Sequence, residues 1–382
     1  MAYTVLARKY RSQSFDQLVG QEPIARTLRA AIEQDRVAHA YLFCGTRGVG
    51  KTSAARIFAN ALNNPNDDAE VARAIMTGSD VDVIEIDGAS NNKVEEAREL
   101  IANSVYRPMR GRHKIYIIDE VHMLSTAAFN ALLKTMEEPP EHVKFILCTT
   151  DPQKVPATIQ SRCQRFDFRN IPSAKIGEHL KAVVEAEGLG AEPELIHAVA
   201  RLGNGSMRDA LSLLDRLMAV GEKKLTLGLL EELLGLPDRE LIGQLIDAFA
   251  DGDPGVALER VGDLLGRGVA GDQVLESLLD RLRDLMVLAA CGEKTELVDL
   301  SDEARKGEVA RATRFDAAGL VHMIALCESV QRSMRNSSAP RALLDAAIVR
   351  LALTEKLADV TAVVAATTNG IKLPGGAPAK KR

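Results

Sequence analysis

Gly45-Thr46-Arg47-Gly48-Val49-Gly50-Lys51-Thr52 decides the fold. The run fits GxxxxGK[ST]. An apolar, strand-like stretch, His39–Cys44, precedes it, and a helical pattern opens at its end. That placement separates a phosphate loop from a chance glycine-rich turn. Each residue type has a task. Glycines let backbone N–H groups close around phosphate oxygens. The N-terminus of the following helix favours the anion. Lys51 reaches the β- and γ-phosphates, and Thr52 offers a hydroxyl to Mg²⁺. The cradle from Gly45 through Ser53 is therefore expected to hold a nucleoside triphosphate.

Working outward, Ile115-Tyr116-Ile117-Ile118-Asp119-Glu120 is an apolar strand ending in two carboxylates. A buried strand delivers such residues to the sheet edge beside the phosphate loop. Asp119 is expected to hold Mg²⁺ through water, and Glu120 to orient or polarise the attacking water. Without a phosphate loop upstream, two solvated acids at a strand end would read equally well. The run Val81–Ile86 lies between the two motifs and suggests a strand inserted between theirs in the sheet. Val143–Thr149 and Arg165–Phe168 complete five strand-like runs. Most are apolar on successive residues, as in a parallel sheet buried on both faces. Helical patterns separate them. Ile24, Leu28, Ala31 and Ile32 share one face after Pro23. Phe129, Leu132, Leu133 and Met136 share another before Pro139-Pro140. Strand–helix alternation predicts a doubly wound α/β domain.

Three further places carry chemistry. Thr149 and Thr150 end the fourth strand, where a hydroxyl holds water or senses the γ-phosphate, or serves as an ordinary turn residue. Arg162, in Ser161-Arg162-Cys163, reads alone as a solvated loop arginine. It also fits a guanidinium supplied to a neighbouring subunit's γ-phosphate. In Gly205-Ser206-Met207-Arg208-Asp209, Ser206 and Asp209 form a capping box. Arg208 then opposes the helix dipole by ~0.3–1 kcal/mol unless an anion is near. Asn91, Asn92 and Lys93 could meet a DNA phosphate. Tyr106–Lys114 is the densest basic patch and reads as a solvated loop.

Strand signals stop after Ile171-Pro172. Residues 1–171 are read as the phosphate-loop domain, 172–236 as a small helical module and 237–360 as an all-helical domain. Residues 361–382 are read as a disordered tail of Ala, Thr, Gly and Pro. In the third domain Leu241, Ile242, Leu245, Ile246 and Phe249 form one apolar stripe. Val274, Leu275, Leu278, Leu279, Leu282 and Met286 form a second, and Leu343, Leu344, Ala347, Ile348 and Leu351 a third. All are read as helix-packing core.

Composition sets bounds. A net charge of −5 argues against coating nucleic acid by bulk charge. Aromatics at 4%, without Trp, argue against a base-stacking platform. The start, MAYTVLARKYRSQSF, has no apolar secretory core, and no run approaches the ~20 apolar residues of a membrane helix. Cys44, Cys148, Cys163, Cys291 and Cys327 are scattered without a CxxC, which fits a reducing cytoplasm and argues against a disulfide scaffold.

Together LARKYRSQSFDQLVGQE, HAYLFCGTRGVGKTSAAR, IYIIDEVHMLSTAAFNALLKTMEEPPEHVKFILCTTDPQKVPATIQSRCQRF and GSMRDALSLLD resemble the gamma/tau family of bacterial DNA polymerase III. These are the AAA+ ATPases of the sliding-clamp loader. The resemblance is strong over about residues 3–220 and rests on the collar-like helical pattern beyond. It implies an AAA+ domain with a parallel five-stranded sheet, a helical lid and an all-α collar. It implies ATP and Mg²⁺, with hydrolysis driving a clamp onto primed DNA during replication in the bacterial cytoplasm. The implied partners are other gamma/tau copies, delta and delta prime subunits, the clamp and primer–template DNA, in a hetero-oligomeric ring. By resemblance Arg162 is the finger in trans, Arg208 the lid sensor, Thr149 or Thr150 the strand sensor, and Ala7, Arg11 and Val19 the strip wrapping adenine. Arg162 then has no evident use within its own subunit.

Three departures stand out. The family commonly carries four zinc-binding cysteines after the phosphate-loop helix. Here ALNNPNDDAEVARAIMTGSDVD has neither Cys nor His, so no zinc is expected. Ser12 replaces a usual Pro, predicting a less rigid strip. The chain ends near the linker that long members continue through, as a short gamma-type or cut form would. The rival readings are a non-hydrolysing scaffold subunit such as delta prime, which would lack the Lys or the carboxylates, and another AAA+ machine such as a branch-migration helicase. A third rival, a polymerase chain, finds no nucleotidyl-transfer site to support it.

Overall fold

Three of the five strand-like runs are extended through nearly every residue with both faces covered. In β1 (Ala40–Cys44), β3 (Lys114–Asp119) and β4 (Val143–Thr149) only Asp119 escapes full burial. The computed structural model describes residues 4–90, 106–295, 297, 298, 300 and 302–354. β2 (Val83–Asp87) and β5 (Gln164–Asp167) close the sheet in the order β2-β3-β4-β1-β5, and every pairing is parallel. This is the expected five-stranded α/β sheet. One expectation changes. The strand inserted between β1 and β3 is β4, which follows the carboxylate strand in sequence. The run that precedes it, β2, lies at the edge and is half-exposed. Order along the chain does not fix order across a sheet once crossovers skip a position. Here the chain leaves β1, passes over two positions to reach β2, and returns stepwise to β4.

After α1 (Leu6–Lys9), which belongs to neither core layer, helices cover both faces: α2 (Glu22–Glu33), α3 (Lys51–Asn63), α4 (Ala69–Thr77), α5 (Thr126–Glu137) and α6 (Ala157–Gln160). On one face Tyr41 meets Phe43 and Phe58 edge-on, Phe43 meets Phe166 edge-on, and Phe168 tilts against Phe43. Tyr116 and Phe145 stack on the other among Leu132, Met136 and Leu147. Truncating one such buried ring costs about 3–5 kcal/mol, so these layers fix the sheet that carries the site. α4 occupies the stretch without cysteines. Asp68 caps it by accepting from the N–H groups of Glu70 and Val71. Three helices follow the sheet: α7 (Ser173–Ala186), α8 (Pro193–Leu202) and α9 (Met207–Met218). A two-residue pair, β6 (Gly190–Ala191) with β7 (Lys224–Leu225), ties them.

The chain divides into two compact units, Met1–Leu225 and Thr226–Arg382. The second unit is helical: α10 (Leu227–Leu234), α11 (Arg239–Asp251), α12 (Pro254–Gly266), α13 (Gly271–Cys291), α14 (Asp302–Ala312), α15 (Ala317–Met334) and α16 (Pro340–Ala352). The first stripe is wholly buried there. Leu279, Met286 and Leu343 of the other two are only partly covered. Inside it Arg281 pairs with Glu308, while Arg311 reaches Glu308 and Asp247. Among the described residues no helix is long and apolar enough to cross a membrane.

Candidate nucleotide site

The cleft lies at the C-terminal ends of β1 and β3, where the strand order reverses and open α/β sheets bind ligands. It measures about 1010 Å³. The phosphate loop forms its floor. Gly50 caps α3 in the left-handed region at φ 102°, with Lys51 as the first helical residue. The Lys51 side chain is buried, and Nζ donates to the carbonyls of Gly45 and Thr46 at 2.8 Å each. Burial pulls the ammonium below its usual range, against the opposing pull of nearby Glu120 and Asp119. Thr52 Oγ1 donates to Asp119 Oδ2 at 2.6 Å. The two expected metal-site residues therefore already touch.

Gly48 serves a purpose the motif alone does not reveal. At φ +78°, a Cβ there would lie 1.9 Å from Ser206 Oγ and 3.2 Å from Arg208 Cβ. The Gly48 carbonyl also accepts from the Met207 N–H at 3.1 Å. The loop thus touches the N-terminus of α9. That N-terminus is capped by Ser206 Oγ, which accepts from the Asp209 N–H. Only half of the expected capping box forms, because the Ser206 N–H goes to the Gly203 carbonyl.

Ala7, Arg11, Val19, Arg47, Val49, Ser53 and Arg208 all line the cleft. Arg208 is exposed and makes no ion pair among the described residues. Arg11 is held below its usual range first by burial and then by the positive charge of Arg56, with Arg208 adding to it. Lys51, Arg11, Arg56 and Arg208 thus share one cleft, a cationic lining that suits a polyphosphate. The N-terminal strip is anchored from the helical module: Lys9 and Tyr10 both bond Glu187, which caps the C-terminus of α7, at 2.6 and 2.5 Å.

Glu120 lines the cleft from the left-handed region, at φ 46°. Thr150 Oγ1 donates to Glu120 Oε2 at 3.1 Å. Thr149 is fully buried, and its hydroxyl meets His122 Nδ1 at 3.1 Å and the Asp151 N–H at 3.0 Å. Neither threonine lines the cleft. Arg162 lies away from it too. Its guanidinium donates to Glu137 at 2.8 Å and to the Thr158 carbonyl at 2.7 Å. The expectation that it has no use within its own subunit therefore gives way to a partly exposed ion pair. Asn91, Asn92 and Lys93 lie outside the described residues.

Leu18, Ile171, His179, Met207, Leu211 and Arg56 also line the cleft and were not foreseen. The apolar members read as ordinary core, and His179 as a helix-face residue. Arg56 forms a nearly covered fork on Glu85, at 2.6 and 2.8 Å. Its only sequence signal is its position five residues after Lys51 on the phosphate-loop helix.

Comparison with known proteins covers nearly the whole chain. Residues 20–172 match the family described as DNA polymerase III, delta subunit. Residues 175–223 match the ATPase lid domain of the DNA polymerase III clamp loader subunit, and residues 225–365 match domain III of DNA polymerase III subunits gamma and tau. DNA polymerase III subunit tau of Bacillus subtilis is 39% identical over 93% of this chain and 64% of its own length. Subunit tau of Escherichia coli is 42% identical over 81% and 50% respectively. Subunit gamma of Buchnera aphidicola is 43% identical over 63% and 68%. The chain spans about half to two thirds of the length of these relatives.

Proposed function

The chain belongs to the gamma and tau family of DNA polymerase III subunits, and from that premise we propose that it is an ATP-hydrolysing motor subunit of a clamp loader. One observation carries the reading. Lys51, the Thr52–Asp119 bond and Glu120 meet in a single cleft lined by cationic side chains. A non-hydrolysing scaffold subunit has no need of all four.

The chemistry follows from the residues. Lys51 exchanges its two carbonyl partners for the β- and γ-phosphate oxygens, and the N–H groups of the loop close on the rest. Arg11 and Arg208 flank the cleft from the strip and the lid, and Ala7, Val19 and Leu18 offer apolar cover for adenine. Thr52 and Asp119 fit a Mg²⁺ ion, which would neutralise charge on the phosphate oxygens. Glu120 takes a proton from the water whose oxygen bonds to the γ-phosphorus. The bond to the β–γ bridging oxygen breaks, leaving ADP and inorganic phosphate. Between Thr149 and Thr150, the geometry favours Thr150 beside the reaction, because its hydroxyl holds the Glu120 carboxylate. Arg162 gives up Glu137 for a neighbouring subunit's γ-phosphate on assembly. An exposed ion pair is worth only about 0–1 kcal/mol, so the exchange costs little.

We also propose the division of labour 1–171 ATPase, 172–236 lid and 237–360 collar, with no zinc module. About one zinc per chain by mass spectrometry of metals would overturn the latter. Partners would be further gamma or tau copies, delta and delta prime subunits, a sliding clamp and primed DNA. The deciding test is ATP turnover of the assembled subunits with and without clamp and primed DNA. Stimulation by both is expected. Glu120→Gln should keep nucleotide affinity and lower kcat by about 10²-fold or more. Unchanged kcat in that variant would remove Glu120 from the mechanism.

A further inference from the structure

Among the described residues, both groups that approach the Glu120 carboxylate come to the same oxygen. Thr150 Oγ1 donates to Oε2 at 3.1 Å, and His122 Nδ1 lies 3.4 Å from that same Oε2. Oε1 has no hydrogen-bond partner among the described residues. The ring of His122 is itself held. Its Nδ1 meets the Thr149 hydroxyl at 3.1 Å, and that hydroxyl accepts from the Asp151 N–H at 3.0 Å. The His122 side chain is only 10% exposed and does not line the cleft, whereas Glu120 does. Both contacts meet at one ring nitrogen, Nδ1, which stands between the Thr149 hydroxyl at the buried end of β4 and one oxygen of a carboxylate whose other oxygen has no partner among the described residues.

We propose that His122 is a positioning residue for hydrolysis: held at Nδ1 by the Thr149 oxygen, the imidazole shares that N–H with Glu120 Oε2 so that Oε1 is presented to the attacking water. The inference rests on Glu120 acting as the base, as set out above. A carboxylate on a left-handed residue at a strand end has several rotamers available. Fixing one of them before the substrate arrives lowers the cost of orienting the base in the transition state. A carboxylate oxygen only accepts, so Nδ1 serves it as an N–H donor, and the Thr149 hydroxyl oxygen shares that one N–H as a second acceptor. A contact of 3.4 Å is long for a hydrogen bond, and catalytic contacts of this kind tighten once substrate is bound.

The test uses the chain assembled with its clamp-loader partners, Mg²⁺ and ATP, reading kcat, KM and the affinity for a fluorescent ATP analogue. His122→Phe keeps the ring but removes Nδ1, and kcat should fall on the order of 10- to 100-fold with affinity within about twofold. His122→Asn places an amide nitrogen near the Nδ1 position and should restore most of the loss. Thr149→Val, which frees the ring without touching Glu120, should lower kcat with unchanged affinity, and it decides the matter if His122→Phe does not fold. Wild-type kcat in His122→Phe or Thr149→Val overturns the proposal, as does an equal loss in the Phe and Asn variants. Glu120→Gln separates the two levels. If it too turns over normally, the base assignment has failed; if it is inactive while His122→Phe is not, only the His122 role has.

Discussion

Gly48 shows how far a motif can be read. Its place in GxxxxGK[ST] is legible because every motif residue lies next to the end of a buried strand. The sequence therefore places Asp119, Glu120 and Lys51 in one cleft without knowing the packing. That a lid serine sits where a Cβ would go is not legible, because Ser206 is 158 positions away. The same holds for Leu18, Ile171 and Leu211, whose spacing matches any helix or strand facing a core. The pair Thr149 and Thr150 stays ambiguous in sequence but not in space. Thr149 is the last residue of β4 and turns to His122, whereas Thr150 lies just past the strand and its hydroxyl reaches Glu120. Gly48→Ala tests the double use. Left-handed strain together with the clash against Ser206 should cost about 1–3 kcal/mol in urea unfolding. Nucleotide affinity should drop with it, and an unaffected lid and affinity would mean the contact is dispensable.

At the scale of elements, the basic run Tyr106–Lys114 reads as a solvated loop, and most of its side chains are exposed. Its backbone is not loose. Buried Asp82 accepts from the N–H groups of Met109, Arg110 and Gly111 at 2.7, 2.6 and 2.9 Å, and Asn63 closes the loop by bonding His113 twice. Burial alone would raise the Asp82 carboxyl. The N–H groups of Gly111, Met109 and Arg110, with Lys114 nearby, outweigh it and hold the group below its usual range. A carboxyl depressed by folding stabilises the fold above its ordinary range, and that stability drains away as pH falls through the folded value. Asp82→Asn should therefore cost on the order of 2–4 kcal/mol at neutral pH, and the gap to wild type should shrink in acid melts. A gap constant with pH would show that the carboxylate charge is not what holds the loop. Since the loop leads into β3, it stands at the opposite end of that strand from Asp119. The sheet separates this basic patch from the cleft. The order of strands escaped the sequence for a related reason: it is set by which crossover skips which neighbour.

At the scale of the molecule, length and helical stripes foretell a second, all-helical unit, and the chain divides at Leu225. The small charge of −5 argues only against a protein that coats nucleic acid alone. In the proposed ring each chain contributes a few phosphate contacts, and salt sensitivity belongs to the assembly at about −0.9 per neutralised phosphate. Arg162→Ala belongs to this scale. It should lower turnover at sites in mixed assemblies whose neighbour carries the change, and leave its own site working beside a normal neighbour. Equal loss at its own site would place the residue in cis. The Gly48 carbonyl that holds the Met207 N–H belongs to the loop proposed to receive phosphate. Lid angle and nucleotide occupancy are then two readings of one equilibrium. Whatever factor a bound triphosphate contributes toward one lid orientation, an external pull toward that orientation returns as the same factor in affinity. An assembly that tugs on its lids would thereby load and empty its nucleotide sites without touching them.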